Sequence, residues 1–185
     1  DGLVTGVQTC ALPIYYSCNN LSQNEKKILE IINNPICLEI FDSIQVNDKN
    51  KISYDEFRKS YKFILIIYLV DSCNPCYSKY HEWNKRSDNL KDYENFNMLF
   101  IIQGYSFESF ISNVRSIGLI KGNYNIIIDP YRKFVEFNNL PVWLMNDAFI
   151  LIDNNNKVRL IGNPFATPDM TKLFYSIINE DGKNH

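Results

Sequence analysis

Two cysteines separated by two residues, Cys73-Asn74-Pro75-Cys76, are the residues of this chain whose types and spacing suit chemistry. A cysteine acts as a nucleophile through its thiolate, and a close pair can pass between dithiol and disulfide. The pair follows an apolar run, Phe63 to Val70 (FILIIYLV), and precedes a polar segment of helical character. A buried strand, then C-x-x-C, then a helix places the first sulfur at a helix N-terminus and the second one turn in. Free backbone N–H groups and the helix dipole favour a thiolate on the first cysteine. The second can attack the mixed disulfide that forms. Pro75 suits the first helical turn, where its missing N–H costs nothing.

Other chemistries fit less well. A zinc site would need a second ligand pair beside the C-x-x-C, and none is visible, with His81 on the same helix and His185 at the chain end. Copper delivery would need a wider cysteine spacing and a distant loop histidine. The segment Asn47 to Phe57 (NDKNKISYDEF) lacks the leading carboxylate and the glycine of a calcium loop, so it reads as a solvated turn. His81 and Glu82 read as a solvated or partly packed surface pair, and Lys79 as solvent-exposed. No metal site and no resident cofactor is expected.

The chain has 185 residues, 45% hydrophobic and 22% charged, and a net charge of -2, which gives no electrostatic reason to expect nucleic acid. No apolar run approaches the roughly 20 residues of a membrane span. Five cysteines, with one close pair, do not make a disulfide framework. Cys37 alternates with polar neighbours and reads as a small buried hydrophobe. Residues 1–14 (DGLVTGVQTCALPI) read as the translation of a sequencing adapter, which leaves Cys10 without a role. Ser17-Cys18 followed by a polar stretch resembles the end of a lipoprotein signal peptide, with Cys18 as the lipidated residue. Residues 15–34 then form leader end and stem, and residues 35–182 a single domain, with an extension over 35–60 and a core over 61–178.

The elements that must position the pair follow from periodicity. Helical spacing appears over Leu21 to Asn33, and short strands over Cys37 to Phe41 and Ile44 to Val46, which could pair as a hairpin. Tyr61 to Val70 reads as a central strand covered on both faces. A helix follows from Cys76 to about Asp92, with Tyr77, Tyr80, Trp83 and Leu90 on its apolar side. Strands are expected over Asn97 to Gln103 and Tyr124 to Ile128, and helices over Phe107 to Ile117 and Tyr131 to Asn138. Ala148 to Ile152 and Lys157 to Ile161 flank Asp153-Asn154-Asn155-Asn156 as a hairpin, and Thr167 to Asn179 closes the chain with an amphipathic helix. The order is that of an α/β three-layer sandwich with a mixed sheet, parallel strands first and an antiparallel hairpin last.

On the block Lys62 to Cys76 (KFILIIYLVDSCNPC) and the ending Phe149 to Gly162 (FILIDNNNKVRLIG), the chain resembles the thioredoxin-like superfamily, most closely its extracytoplasmic TlpA/ResA-type thiol-disulfide oxidoreductases. More narrowly, YLVDSCNPC and IDNNNKVRLIGNP resemble thioredoxin-like lipoproteins of gut Bacteroidetes. The resemblance implies Cys73 as attacking and Cys76 as resolving thiol, with protein thiols and disulfides as partners, a possible membrane redox partner and a lipid anchor. Four departures stand out. Ser72 replaces the usual Trp, Ile67 replaces a buried carboxylate or amide, and Lys79 stands where ResA-like members often carry Glu. Asp147, followed by Ala148, occupies the cis-proline position of the substrate-facing loop. A cis peptide without proline costs about 3 kcal/mol, so a trans loop is expected there.

Two functions therefore stand. One is an extracytoplasmic oxidoreductase that reduces protein disulfides. The other is a redox-inactive binding or assembly lipoprotein in which Cys73–Cys76 is a structural disulfide and Tyr77, Tyr80, Trp83 and Trp143 form a partner face, unless those aromatics are core.

Overall fold

The computed structural model describes residues 21–118, 120, 124–145 and 149–179. Helix α1 (Gln23–Asn33) begins at a capping box in which the Ser22 side chain accepts from the Glu25 N–H and the Glu25 carboxylate accepts from the Ser22 N–H. Strands β1 (Ser43–Gln45) and β2 (Lys51–Ser53) form an antiparallel hairpin, and α2 (Tyr54–Ser60) follows at once. Then come β3 (Phe63–Val70), α3 (Asn74–Leu90), β4 (Phe96–Gln103), α4 (Phe107–Ile117), β5 (Ile126–Ile128), α5 (Lys133–Phe137), α6 (Val142–Met145), β6 (Phe149–Ile152), β7 (Val158–Ile161) and α7 (Pro168–Ile178).

The strands form one sheet in the order β2-β1-β5-β4-β3-β6-β7. β3, β4 and β5 run parallel, while β6 and β7 turn back antiparallel. The period of two along β3 explains the layering. Phe63, Leu65, Ile67 and Leu69 face a core with Tyr80 and Trp83 of α3, Phe110 of α4 and Phe174 of α7. Ile64, Ile66 and Tyr68 face a second core with Ile31 of α1, Phe57 of α2, Phe134 of α5 and Leu144 of α6. Each fully buried aliphatic or aromatic side chain contributes about 1.5–3 kcal/mol, so a strand apolar on both faces must lie between two helical layers. The expected three-layer α/β sandwich is what forms.

Two local expectations are corrected. Cys37 to Phe41 is not a strand, because its backbone is satisfied by a side chain. The Cys37 N–H donates to Asn138 Oδ1 at 2.6 Å, and Asn138 Nδ2 donates back to the Cys37 carbonyl at 3.0 Å. The hairpin instead pairs β1 with β2 and lengthens the sheet beyond β5, where Gln45 pairs with Ile126. Within Asn47 to Phe57, the turn is confined to the residues between β1 and β2. The Ser53 hydroxyl accepts from the Glu56 N–H, which starts α2 and buries Tyr54 and Phe57. α6 also lies where no element was expected.

Candidate functional site

The sequence places the C-x-x-C where the buried strand β3 ends and the long helix α3 begins. Cys73 is the N-cap of α3, and Pro75 sits in its first turn. The first helical hydrogen bonds close onto the Cys73 carbonyl, from Cys76 N at 2.9 Å and Tyr77 N at 3.3 Å. Cys73 and Cys76 are free thiols of intermediate exposure, and so is Cys37, which is less buried than expected. Burial, and then the hydrogen bond with Cys73, pushes the Cys76 thiol up to about 11. A backbone hydrogen bond at Val70 and the Lys79 charge oppose this.

The turn between β3 and α3 is held by a phenol. Tyr77 Oη donates to Asp71 Oδ1 at 2.7 Å and accepts from the Ser72 N–H at 2.8 Å and Asn113 Nδ2 at 3.0 Å. Ser72 stands where the resemblance leads one to expect Trp, and its φ of 72° lies in the left-handed region. Gly104, after β4, lets this turn pack closely. A Cβ there would meet the Asp71 Cβ at 2.7 Å.

A cavity of about 290 Å³ opens beside the pair, lined by Tyr68, Cys73, Cys76, Lys79, Gln103 and Arg132, with Val142 and Met145 of α6 closing another side. Lys79, expected in solvent, is partly buried, with its ammonium 4.8 Å from the centre of the Phe149 ring. The Tyr68 hydroxyl donates to Gln103 Oε1 at 2.8 Å. Burial and the nearby Asp129 charge push the Tyr68 hydroxyl up to about 12. Arg132 precedes α5 with φ 58° and ψ 29°. The resemblance gave no sign of Arg132, and neither its type nor its spacing marks it.

The other site expectations divide. Asp147, Ala148 and Cys18 lie outside the described residues. Tyr77, Tyr80 and Trp83 are core residues, 6%, 0% and 2% exposed, whereas Trp143 keeps 43% of its surface. Glu82 is exposed and pairs with Arg86 at 2.8 Å. His81 is the partly packed member of the pair. Its ring packs on Gly118, and its Nδ1 is enclosed without a hydrogen bond. Ile67 is fully buried, so no polar group from that position reaches the thiols. Among the described residues no three His, Cys, Asp or Glu side chains are placed to hold a metal ion, and no helix is long and apolar enough to cross a membrane.

No family model matches the chain, and no curated protein matches it in sequence. Solved structures do. A thiol-disulfide oxidoreductase from Bacteroides fragilis aligns at 15% identity over 76% of this chain and 99% of its own, with a TM-score of 0.53. The thioredoxin domain of a thiol-disulfide oxidoreductase from Bacteroides vulgatus aligns at 13% identity over 74% and 92%, with a TM-score of 0.51. An exposed lipoprotein thioredoxin from Streptococcus pneumoniae aligns at 13% identity over 75% and 97%, with a TM-score of 0.51. The chain has the thioredoxin-like fold, with its C-x-x-C at the junction of a central strand and the helix that follows it.

Proposed function

We propose that the protein is an extracytoplasmic thiol-disulfide oxidoreductase that reduces disulfides in proteins, with Cys73 as nucleophile and Cys76 as resolving thiol. The observation that carries this reading is the asymmetry of the pair. Cys73 stands half-exposed as the N-cap of α3, while Cys76 lies one turn in with its thiol raised to about 11 by burial. The Cys73 thiolate attacks one sulfur of the substrate disulfide, forming a mixed disulfide and releasing the first substrate thiolate. Cys76 gives up its proton and attacks the Cys73 sulfur. The Cys73–Cys76 disulfide forms, the second substrate thiolate leaves, and two electrons have passed to the substrate.

The fold shared with an exposed lipoprotein thioredoxin, together with Ser17-Cys18 and its polar sequel, supports a lipid anchor on Cys18 and a place outside the cytoplasm, where a membrane redox partner can re-reduce the pair. Residues 35–182 act as one domain in this reading, and the Asp147-Ala148 loop faces the substrate.

The second reading, a binding module with a static disulfide, is favoured by one observation: Ile67 leaves Cys76 without a buried base. Titration in dithiothreitol redox buffers, with thiols counted by mass-tag alkylation, separates the two. A reversible two-electron transition on Cys73 and Cys76, above about -300 mV, is expected for the oxidoreductase. A pair that opens only on unfolding would sink that reading.

A further inference from the structure

Along β4, Leu99 and Ile101 face the second core. The period of two puts Gln103 next on that face, where the strand ends and the cavity beside Cys73 and Cys76 begins. An apolar run thus ends in an amide. Its backbone is held in place. Gln103 pairs with Val70 of β3, and its carbonyl accepts from the Asp71 N–H at 2.9 Å. Gln103 therefore stands one strand spacing, about 5 Å, from the residue three positions before Cys73.

A chain of donors orients the Gln103 side chain. Arginine carries no acceptor, so the hydrogen bond between Arg132 and Tyr68 uses the phenol oxygen as acceptor. The phenol proton goes on to Gln103 Oε1, at 2.8 Å. What Gln103 has left for the cavity is Nε2, with its two N–H donors. Nε2 has no acceptor among the described residues, and it is not enclosed. The two cations beside it are engaged, Arg132 with Tyr68 and Lys79 over the Phe149 ring. The open polar group of the cavity is therefore a neutral donor.

Resting on the redox reading above, we infer that Gln103 is a substrate-binding residue whose amide donates to a main-chain carbonyl beside the cystine of a polypeptide substrate. A neutral donor among Leu69, Val142 and Met145 suits an uncharged acceptor in apolar surroundings. A peptide carbonyl is such an acceptor, and one stands on each side of every cysteine in a protein cystine. Val142 is 67% exposed and carries the apolar wall beyond the cavity, which suits a chain passing over the site. With that carbonyl held, the cystine lies against Cys73. The Cys73 thiolate forms the mixed disulfide, and one substrate thiolate leaves. Tyr68 acts through the amide, as a positioning residue.

The test reacts the reduced full chain with two neutral disulfides and compares second-order rate constants, read from the loss of free thiols by mass-tag alkylation. One is the disulfide of N-acetylcysteine methylamide, which has peptide carbonyls beside its sulfurs. The other is diethyl disulfide, which has none. Both meet the same thiolate, so the ratio of their rate constants reports on the carbonyl. Gln103→Met keeps the side-chain length and removes the donor, and the ratio falls about fivefold, the size of one neutral hydrogen bond. Gln103→Glu turns an acceptor toward the same carbonyl and lowers the ratio at least as far. Tyr68→Phe releases the amide and lowers it by less; an unchanged ratio there overturns the role given to Tyr68. A ratio that Gln103→Met leaves at the wild-type value, even where both rate constants fall together, overturns the inference and leaves the redox reading intact. A reduced protein that reacts with neither disulfide overturns both.

Discussion

Raising the pH on a mixed disulfide trapped at Cys73 isolates the resolving step, because Cys76 is then the attacking group. Burial is the larger cause that lifts the Cys76 thiol to about 11, and it persists after the Cys73 thiol is consumed. A thiol titrating near 11 is about 1% thiolate at pH 9 and about half thiolate at pH 11, so resolution accelerates by up to about fiftyfold across that interval, less by the share of the rise that the lost Cys73 hydrogen bond supplied. A thiol with the ordinary value of 9.0 gains only about twofold there. At pH 7 the buried thiol is about a hundredfold poorer in thiolate. Its greater basicity returns roughly eightfold through nucleophilicity, which leaves resolution about tenfold slow. The assay charges Cys73 with a chromogenic thiol, jumps the pH in a stopped-flow cell and follows the released chromophore, with Cys76→Ala as the blank. A rate that levels off by about pH 9 refutes the burial argument.

Three further outcomes follow from the same geometry. The reduced protein loses stability as pH rises from the ordinary thiol value of 9.0 through about 11, because a group raised on folding stabilises only while it stays protonated; urea midpoints across this range check it, and Cys76→Ala should flatten the curve. Tyr77→Phe removes one donor and one double acceptor beneath the 71–73 turn, and urea unfolding should show a loss of about 1–2 kcal/mol with faster alkylation of Cys73; a loss below about 0.3 kcal/mol means the phenol does not hold the turn. Gly104→Ala sets a Cβ 2.7 Å from the Asp71 Cβ, so a cost of about 1–3 kcal/mol is expected in thermal or urea unfolding, and a neutral result means the turn yields freely.

The parts of the fold legible in the sequence are those whose backbone is satisfied by neighbours of the same kind. β3, β4 and the β6–β7 hairpin announce themselves through apolar runs and a turn, and α3 through its spacing of aromatics. The illegible parts are those where a side chain far along the chain completes the backbone. Cys37 to Phe41 alternates like a strand, yet Asn138, a hundred and one positions away, takes both of the Cys37 peptide groups. Asparagine is abundant in this chain, so a single copy does not stand out, yet this one carries backbone groups. Asn156 is buried, accepts from Arg58 Nε at 2.9 Å and donates to Glu39 at 2.8 Å, tying the last hairpin to the amino-terminal extension. α2 had a readable signal, Ser53 followed three residues later by Glu56, which is a helix start as well as a fragment of a calcium loop.

The site divides along the same line. Cys73 and Cys76 are legible because their chemistry depends on local spacing, which the chain states outright. Arg132 is not, because an arginine in the left-handed region has no local signature; the position suits glycine and gives no warning of a charge. Tyr77 reads from its spacing as a core aromatic, and its ring is one, tilted against Phe110 at 5.7 Å. Its hydroxyl, however, is what fixes Ser72 immediately before the nucleophile. One side chain thus serves both packing and positioning. This couples the two in a way the spacing alone conceals: a change that loosens the α3–α4 contact also moves the turn that presents Cys73. Phe110→Ala tests the coupling, since Phe110 lies on α4 and meets the Tyr77 ring. It should cost about 3–5 kcal/mol and also alter the rate at which Cys73 is alkylated in the protein that remains folded. Alkylation that matches wild type in that folded fraction would show that packing and positioning are separable after all.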